Sequence, residues 1–169
     1  MACYTLAQSS LKTIEKNADG TFEQRVVLVL TSYSLFFLIT EDEELIIAAI
    51  PTQIDIFNKD SQGYGLIQTL AQGNPVKGLA LSADGQELIS CNNVLNVYRH
   101  NGVEFILSHT IALGFNCFEV NFLNGLLEVH GSSSQLHFYE LNGDAYVPKF
   151  TIPTNETYIQ ELNIFEGGS

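Results

Sequence analysis

The sequence of 169 residues contains no tryptophan, one methionine and only seven Lys and Arg residues against 19 Asp and Glu residues. The net charge of −12 argues against nucleic-acid binding, because phosphate contacts need Lys and Arg side chains to replace the released counterions. It argues equally against binding to an anionic membrane surface. The partners that remain are other proteins, including proteins with a basic surface, although an acidic balance also keeps a β-rich chain soluble.

Cysteine is scarce as well. Cys3, Cys91 and Cys117 are too few and too widely spaced to predict a disulfide framework or a metal knuckle. Each lies in an apolar, strand-like segment, so we predict buried free thiols and, from them, a reducing, cytoplasmic location. The chain does not open on a basic segment followed by an apolar run, and its apolar runs are far too short to cross a bilayer.

Helical periodicity is also lacking, and Asn-Gly or Asp-Gly turns interrupt the apolar runs. What the chain has instead is a repeat. Four short stretches each begin with an apolar residue, continue with a polar one and end in a large apolar or aromatic residue. We call these stretches the marker strands: Leu11–Ile14, Ile54–Phe57, Leu95–Tyr98 and Leu136–Tyr139.

A strand repeat with a period of about 40 residues is the signature of β-propeller blades. We therefore predict an all-β chain, a single β-propeller array of four-stranded antiparallel blades over residues 1–169. The chain holds four blades' worth of strands, in units 34–71, 76–113, 117–153, and 158–169 plus 1–30, the last split between the two termini.

In the split blade, residues 158–165 would form the opening strand beside residues 1–6. Three closures follow from this arrangement. The chain forms a four-bladed ring by itself, or two chains form a homodimer with an eight-bladed ring, or the chain is a piece of a longer propeller. Unpaired strand edges at both ends would otherwise invite aggregation.

The unit 76–113 resembles a blade of the WD-repeat β-propeller family. Its segment Leu79–Ile89 is similar to the family's first hairpin, and Val94–Arg99 is similar to the third strand, where the family places Val-x-Val-Trp-Asp. The Trp-Asp pair and the opening Gly-His pair are absent. The resemblance implies degenerate, WD-like blades that are held by apolar stacking and whose loops bind other proteins. The residues that stand in place of the tryptophan are Ile14, Phe57, Tyr98 and Tyr139.

Two sets of carboxylates are candidate binding residues. Glu119 and Glu161 occupy similar positions in consecutive opening strands, and because opening strands line the channel of a propeller, we expect both side chains to face it. The other set is either an acidic partner-binding turn or a solvated hairpin turn, and it lacks the spacing of a calcium loop. It consists of Glu41, Asp42, Glu43 and Glu44.

Patterns typical of catalysis are missing. The histidines have no metal-binding spacing, although His130 and His137 lie on neighbouring strands and would be able to approach each other. Ser132–Ser134 fill a turn, and a Gly-x-Ser-x-Gly motif is absent. We predict no cofactor, no metal and no enzyme activity: a protein-interaction scaffold that uses its rim loops or its central channel. The alternative is a small-ligand or carbohydrate-binding propeller, either with or without lactonase-like hydrolase activity.

Overall fold

A computed structural model describes residues 3–7, 10–16, 21–30, 36–40 and 42–154. Every regular element in these residues is a β-strand, which confirms the all-β prediction. In the same residues, no helix has the length and apolar character needed to cross a membrane. The strands are β1 (Cys3–Ala7), β2 (Ser10–Lys16), β3 (Phe22–Val29), β4 (Phe36–Ile39), β5 (Leu45–Ile50), β6 (Gln53–Asp60), β7 (Gly63–Ala71), β8 (Gly78–Leu81), β9 (Glu87–Cys91), β10 (Val94–His100), β11 (Phe105–Ala112), β12 (Cys117–Leu123), β13 (Leu126–Gly131), β14 (Gln135–Asn142) and β15 (Ala145–Pro153).

The strands form four antiparallel sheets, each built from strands that are consecutive in the chain. Three sheets have four strands, β4–β7, β8–β11 and β12–β15, and they coincide with three of the predicted units. The first sheet contains β1, β2 and β3. Its predicted opening strand, residues 158–165, lies outside the described residues.

The chain forms two compact units, Met1–Val76 and Lys77–Ser169. In the first unit, the sheets β1–β3 and β4–β7 share an apolar core around Leu11. In the second unit, the sheets β8–β11 and β12–β15 pack on each other through residues such as Leu95 and Val129. Each unit therefore buries apolar surface between two sheets, the arrangement that stabilises layered β-structures.

A β-bulge recurs in the same place in the three four-stranded sheets. The register shifts after Ile56 in β6, after Val97 in β10 and after Phe138 in β14, always between the third and fourth residues of a marker strand. The extra residue lies on the following strand, at positions 67, 108 and 149. Since bulges are specific backbone features, their recurrence shows that the repeat extends from the sequence to the backbone.

The polar second residue of the marker strands has a recurring partner. Thr69 Oγ1 donates a hydrogen bond of 2.8 Å to Asp55 Oδ1, and Thr110 Oγ1 donates one of 2.9 Å to Asn96 Oδ1. In the last sheet, Thr151 lies opposite His137 in the register. Each bond ties the third strand of a sheet to the fourth, and cross-strand pairs of this kind stabilise a sheet by about 0.2–1 kcal/mol.

The strands in the middle of the four-stranded sheets, such as β5 and β10, are buried on both faces. All residues from Ile46 to Ile50 in β5 are buried, although successive side chains of a strand point to opposite faces. In β10, Val97 and Tyr98 are neighbours in sequence and are 0% and 4% exposed. The large residue that ends the marker strand in each four-stranded sheet is therefore packed even though it shares a face with the polar second residue, as Tyr98 does with Asn96.

The predicted free thiols are wrong for two of the three cysteines. Cys91 at the end of β9 and Cys117 at the start of β12 form a disulfide, with their Cα atoms 5.9 Å apart. Both residues are buried between the two sheets of the second unit. These two residues therefore do not support a reducing compartment, because disulfides persist chiefly in oxidising environments.

Candidate functional site

The acidic cluster lies in the turn between β4 and β5, where Asp42, Glu43 and Glu44 are described and Glu41 lies outside the described residues. The hydroxyl of Thr40 donates to Asp42 Oδ1 at 2.5 Å, and the backbone N–H of Glu44 donates to the same oxygen at 3.1 Å. These bonds hold the pKa of Asp42 below its ordinary value. The carboxylate therefore stabilises its own turn.

The same turn chemistry occurs between β8 and β9. Ser82 Oγ donates to Asp84 Oδ1 at 2.6 Å, and the Gln86 N–H donates to that oxygen at 3.0 Å. In both turns the next residue adopts the left-handed conformation, with φ of 59° at Glu43 and 70° at Gly85. Asp42 is thus one copy of a turn that recurs between β8 and β9.

Glu119, predicted to face a channel, lies in β12 and belongs to a polar cluster shared with β13. Its Oε2 lies 2.9 Å from His130 Nε2, and its Oε1 accepts a hydrogen bond of 3.2 Å from Asn121. Glu128 lies opposite Asn121 on the same face of the sheet. The second predicted channel residue, Glu161, lies outside the described residues.

His130 and His137 do not approach each other. His130 shares a face of the sheet with Glu128, whereas His137 pairs with Val129 and so points to the opposite face. Within the residues that the structure describes, no group of three or more His, Cys, Asp and Glu side chains has the arrangement of a metal site.

Glu128 is a buried carboxylate of this cluster with an oxygen that lacks a hydrogen-bond partner, and Nδ1 of His130 is likewise unpaired among the described residues. Its side chain is 2% exposed, and Oε1 has no hydrogen-bond partner among the described residues. Burial raises the pKa of Glu128, Glu119 adds to the rise, and His130 opposes it. Because the folded state favours the protonated carboxyl, stability is greatest below the ordinary pKa and falls as the pH rises through the folded-state pKa.

Replacing Glu128 with glutamine should remove this loss. We expect Glu128→Gln to leave stability nearly unchanged at acid pH and to increase it by about 1 kcal/mol at neutral pH, since an uncompensated buried polar group costs on that order. Urea unfolding measured at several pH values tests this difference.

Glu140→Gln on the same sheet is the matched control for that comparison. Glu140 is 43% exposed and pairs with Lys149 across 2.8 Å, an arrangement in which the loss is below about 1 kcal/mol. A stability gain from Glu128→Gln that did not grow with pH would contradict the argument.

A cleft in the second unit combines exposed charge with concave shape. It has a volume of about 400 Å³ and is formed by hairpin turns that belong to two sheets, the turns β8–β9 and β14–β15 and the end of β10. Its lining residues are Ser82, Asp84, Gln86, Glu87, Arg99, His100, Leu141, Gly143 and Asp144.

Arg99 organises this cleft. It lies opposite Glu87 in the register, and its Nε donates to Glu87 Oε1 at 3.0 Å. Its Nη1 and Nη2 reach Asp144 of the other sheet, at the carboxylate Oδ1 and the backbone oxygen, over 3.0 and 3.1 Å. Glu87 is bound a second time, because the hydroxyl of Tyr146 donates to its Oε2 at 2.5 Å.

The internal pairs leave the cleft acidic. Glu87 is 15% exposed and both of its oxygens are occupied by Arg99 and Tyr146. Asp144, in contrast, is 98% exposed. The serine and backbone bonds hold the pKa of Asp84 below its ordinary value, so this second carboxylate is charged at neutral pH. The cleft therefore presents two accessible carboxylates, of Asp84 and Asp144, next to the apolar side chain of Leu141, which is 45% exposed.

The sequence gives weak signals for this cleft. Asp84 and Asp144 each stand beside a glycine in a turn, and Arg99 directly follows a marker strand. Nothing in their spacing indicates that the two turns meet.

No protein-family model matches the chain, and a search of curated proteins finds no significant match.

Proposed function

We propose that the protein is a non-catalytic, WD-like β-propeller scaffold that binds basic segments of partner proteins through its rim turns. The propeller part of the proposal is supported by the period of about 40 residues. It is supported further by the bulges at positions 67, 108 and 149 and by strands that are buried on both faces.

The proposal that the rim turns bind basic segments is supported by the acidic cleft around Arg99. Asp84 and Asp144 come from turns of different sheets, and Arg99 fixes the distance between those turns through Glu87 and Asp144. A site built in this way is held in place before the partner arrives, which lowers the entropy lost on binding.

The residues that line the acidic cleft favour a partner with Lys or Arg side chains. A Lys or Arg side chain has an apolar stem and a cationic head. Leu141 offers apolar contact for the stem, and the carboxylates of Asp84 and Asp144 offer charge for the head. The net charge of −12 would also speed the encounter with a basic partner.

Fluorescence anisotropy with a labelled Arg-Gly-Lys-Gly repeat peptide tests the proposal, with a Glu-Gly repeat peptide as the reference. We expect the full chain to bind the basic peptide only, with an affinity that falls as salt is added. The double variant Asp84→Asn and Asp144→Asn should lower that affinity about fivefold, because each exposed charge pair contributes up to about 1 kcal/mol.

Asp60→Asn is the matched control. Asp60 is the exposed last residue of β6, its Oδ1 accepts a 2.7 Å hydrogen bond from the Gln62 N–H, and it lies in the first unit, outside the cleft. The variant changes the net charge without changing the cleft, so we expect it to bind the basic peptide like the unmodified chain. Equal binding of both peptides, or an equal loss in Asp60→Asn, would show that the cleft is not the site.

A further inference from the structure

A second and larger cleft lies in the same unit, among the turns that connect β9 to β10, β11 to β12 and β13 to β14. Its volume is about 750 Å³, within the range of small-molecule sites. The lining contains no charged side chain among the described residues. It is formed by amide and hydroxyl groups, of Asn93, Asn116 and two serines, together with the ring of Phe115.

The two amide side chains of this cleft are free to bind, whereas the hydroxyls of Ser132 and Ser133 are hydrogen-bonded within the protein. The side chains of Asn93 and Asn116 are exposed, and neither amide has a hydrogen-bond partner within the described residues. An amide group offers donors and an acceptor at once. Together the two asparagines therefore suit a ligand that carries neighbouring hydroxyl groups.

The aromatic ring of the cleft is held in one orientation. Phe115 stacks on His137, with ring centroids 4.4 Å apart and planes 22° from parallel. The Nε2 of His137 is 2.9 Å from Ser133 Oγ, which fixes the imidazole in turn. Burial lowers the pKa of His137, so this ring is neutral at neutral pH and adds no charge to the cleft.

The turns that carry these groups are cross-linked. Asn93 follows Cys91 by two positions and Asn116 immediately precedes Cys117, and the two cysteines form the disulfide. The backbone N–H of Asn116 donates to Ser132 Oγ at 3.1 Å, and the backbone N–H of Ser132 donates to the backbone carbonyl oxygen of Asn116 at 2.8 Å. The cleft is therefore preorganised, which favours affinity for a small ligand.

We propose that this cleft binds a neutral saccharide. A pyranose ring presents C–H groups on its face, which pack on the electron-rich face of an aromatic ring, and hydroxyl groups at its edge, which match Asn93 and Asn116. A charged ligand would lose its hydration without gaining an opposite charge in the lining. The site is separate from the acidic cleft, so the binding of each ligand is tested independently of the other.

Saturation-transfer NMR on the full chain tests the proposal with four uncharged probes: maltotriose, cellotriose, xylotriose and chitotriose. We expect at least one of them to bind with a Kd of about 1 mM or below. Asn93→Ala and Asn116→Ala should each weaken binding about fivefold, the effect of one lost hydrogen bond, and Phe115→Ala should abolish the transfer signal.

Asn74→Ala is the matched control, because Asn74 is exposed in a turn of the other unit and should not affect the signal. Thermal unfolding of each variant shows whether it is folded, and the two asparagine variants keep the test valid if Phe115→Ala is not. The proposal is overturned if none of the four saccharides gives a transfer signal, if Asn93→Ala binds as the unmodified chain does, or if a neutral peptide competes the saccharide away from the cleft.

Discussion

Gly131→Ala is expected to destabilise the protein by about 3 kcal/mol, because among the described glycines an added Cβ would meet its nearest backbone neighbours at this position. A Cβ at this position would overlap the carbonyl oxygen of Asn116 and would lie 2.8 Å from both the Asn116 carbonyl carbon and the Cys117 Cα. These are backbone atoms, so no side-chain rotation relieves the overlap. Overpacking of this kind costs about 1–3 kcal/mol, and more where the neighbours are unable to move.

The neighbours of Gly131 are indeed restrained. Cys117 pairs with Gly131 across the sheet and is joined to Cys91 by the disulfide. A shift of Asn116 would also break its two hydrogen bonds with Ser132. For a domain of this size, a loss of 3 kcal/mol lowers the melting temperature by about 10 °C, which calorimetry or circular dichroism measures directly.

Gly73→Ala provides the matched control. An added Cβ at Gly73 would have no atom within 4 Å, and its φ lies outside the left-handed region. The substitution also restricts the unfolded chain, so we expect a change between zero and a gain of about 1 kcal/mol. Similar melting temperatures for the two alanine variants would contradict the close approach of β13 to Asn116.

Removal of the disulfide is expected to cost about 3 kcal/mol. The cross-link joins residues 26 positions apart, and closing a loop of this length restricts the unfolded chain by roughly that amount. The double variant Cys91→Ala and Cys117→Ala should therefore unfold at a lower urea concentration than the unmodified chain. Adding a reductant should lower the midpoint of the unmodified chain but not that of the double variant.

Cys3→Ser distinguishes the disulfide from a general effect of cysteine replacement. Cys3 is the remaining cysteine of the chain, so the Cys3→Ser variant should keep its sensitivity to reductant. In guanidinium without reductant, only Cys3 should react with a thiol reagent, and after reduction all three cysteines should react. If all three reacted without reduction, the original expectation of free thiols would hold.

The strands and turns follow from local features of the sequence. In Ala83-Asp84-Gly85-Gln86, the aspartate accepts hydrogen bonds from its own turn and the glycine adopts a φ of 70°, both of which are properties of residues that are adjacent in the chain. Pro51 directly follows the apolar run Leu45–Ile50, a position that argues against a continuing helix, and the structure has strand β5 in that run.

The two polar side chains of β13 are buried, which the local sequence does not predict. In Leu127-Glu128-Val129-His130 the alternation indicates one apolar face and one solvated face. In the structure, however, Glu128 and His130 are 2% and 1% exposed. Alternation identifies which residues share a face, but only packing decides whether that face meets water.

The sequence alone thus determined the all-β class, the period and the positions of the hairpin turns, because alternation and turn chemistry depend on residues within a few positions of each other. The tertiary structure alone decided the disulfide between Cys91 and Cys117, the bridge from Arg99 to Asp144 and both clefts. These features join residues of different sheets, whose distance depends on how the sheets stack. Stacking is set by apolar packing, which has no directional signature in the sequence.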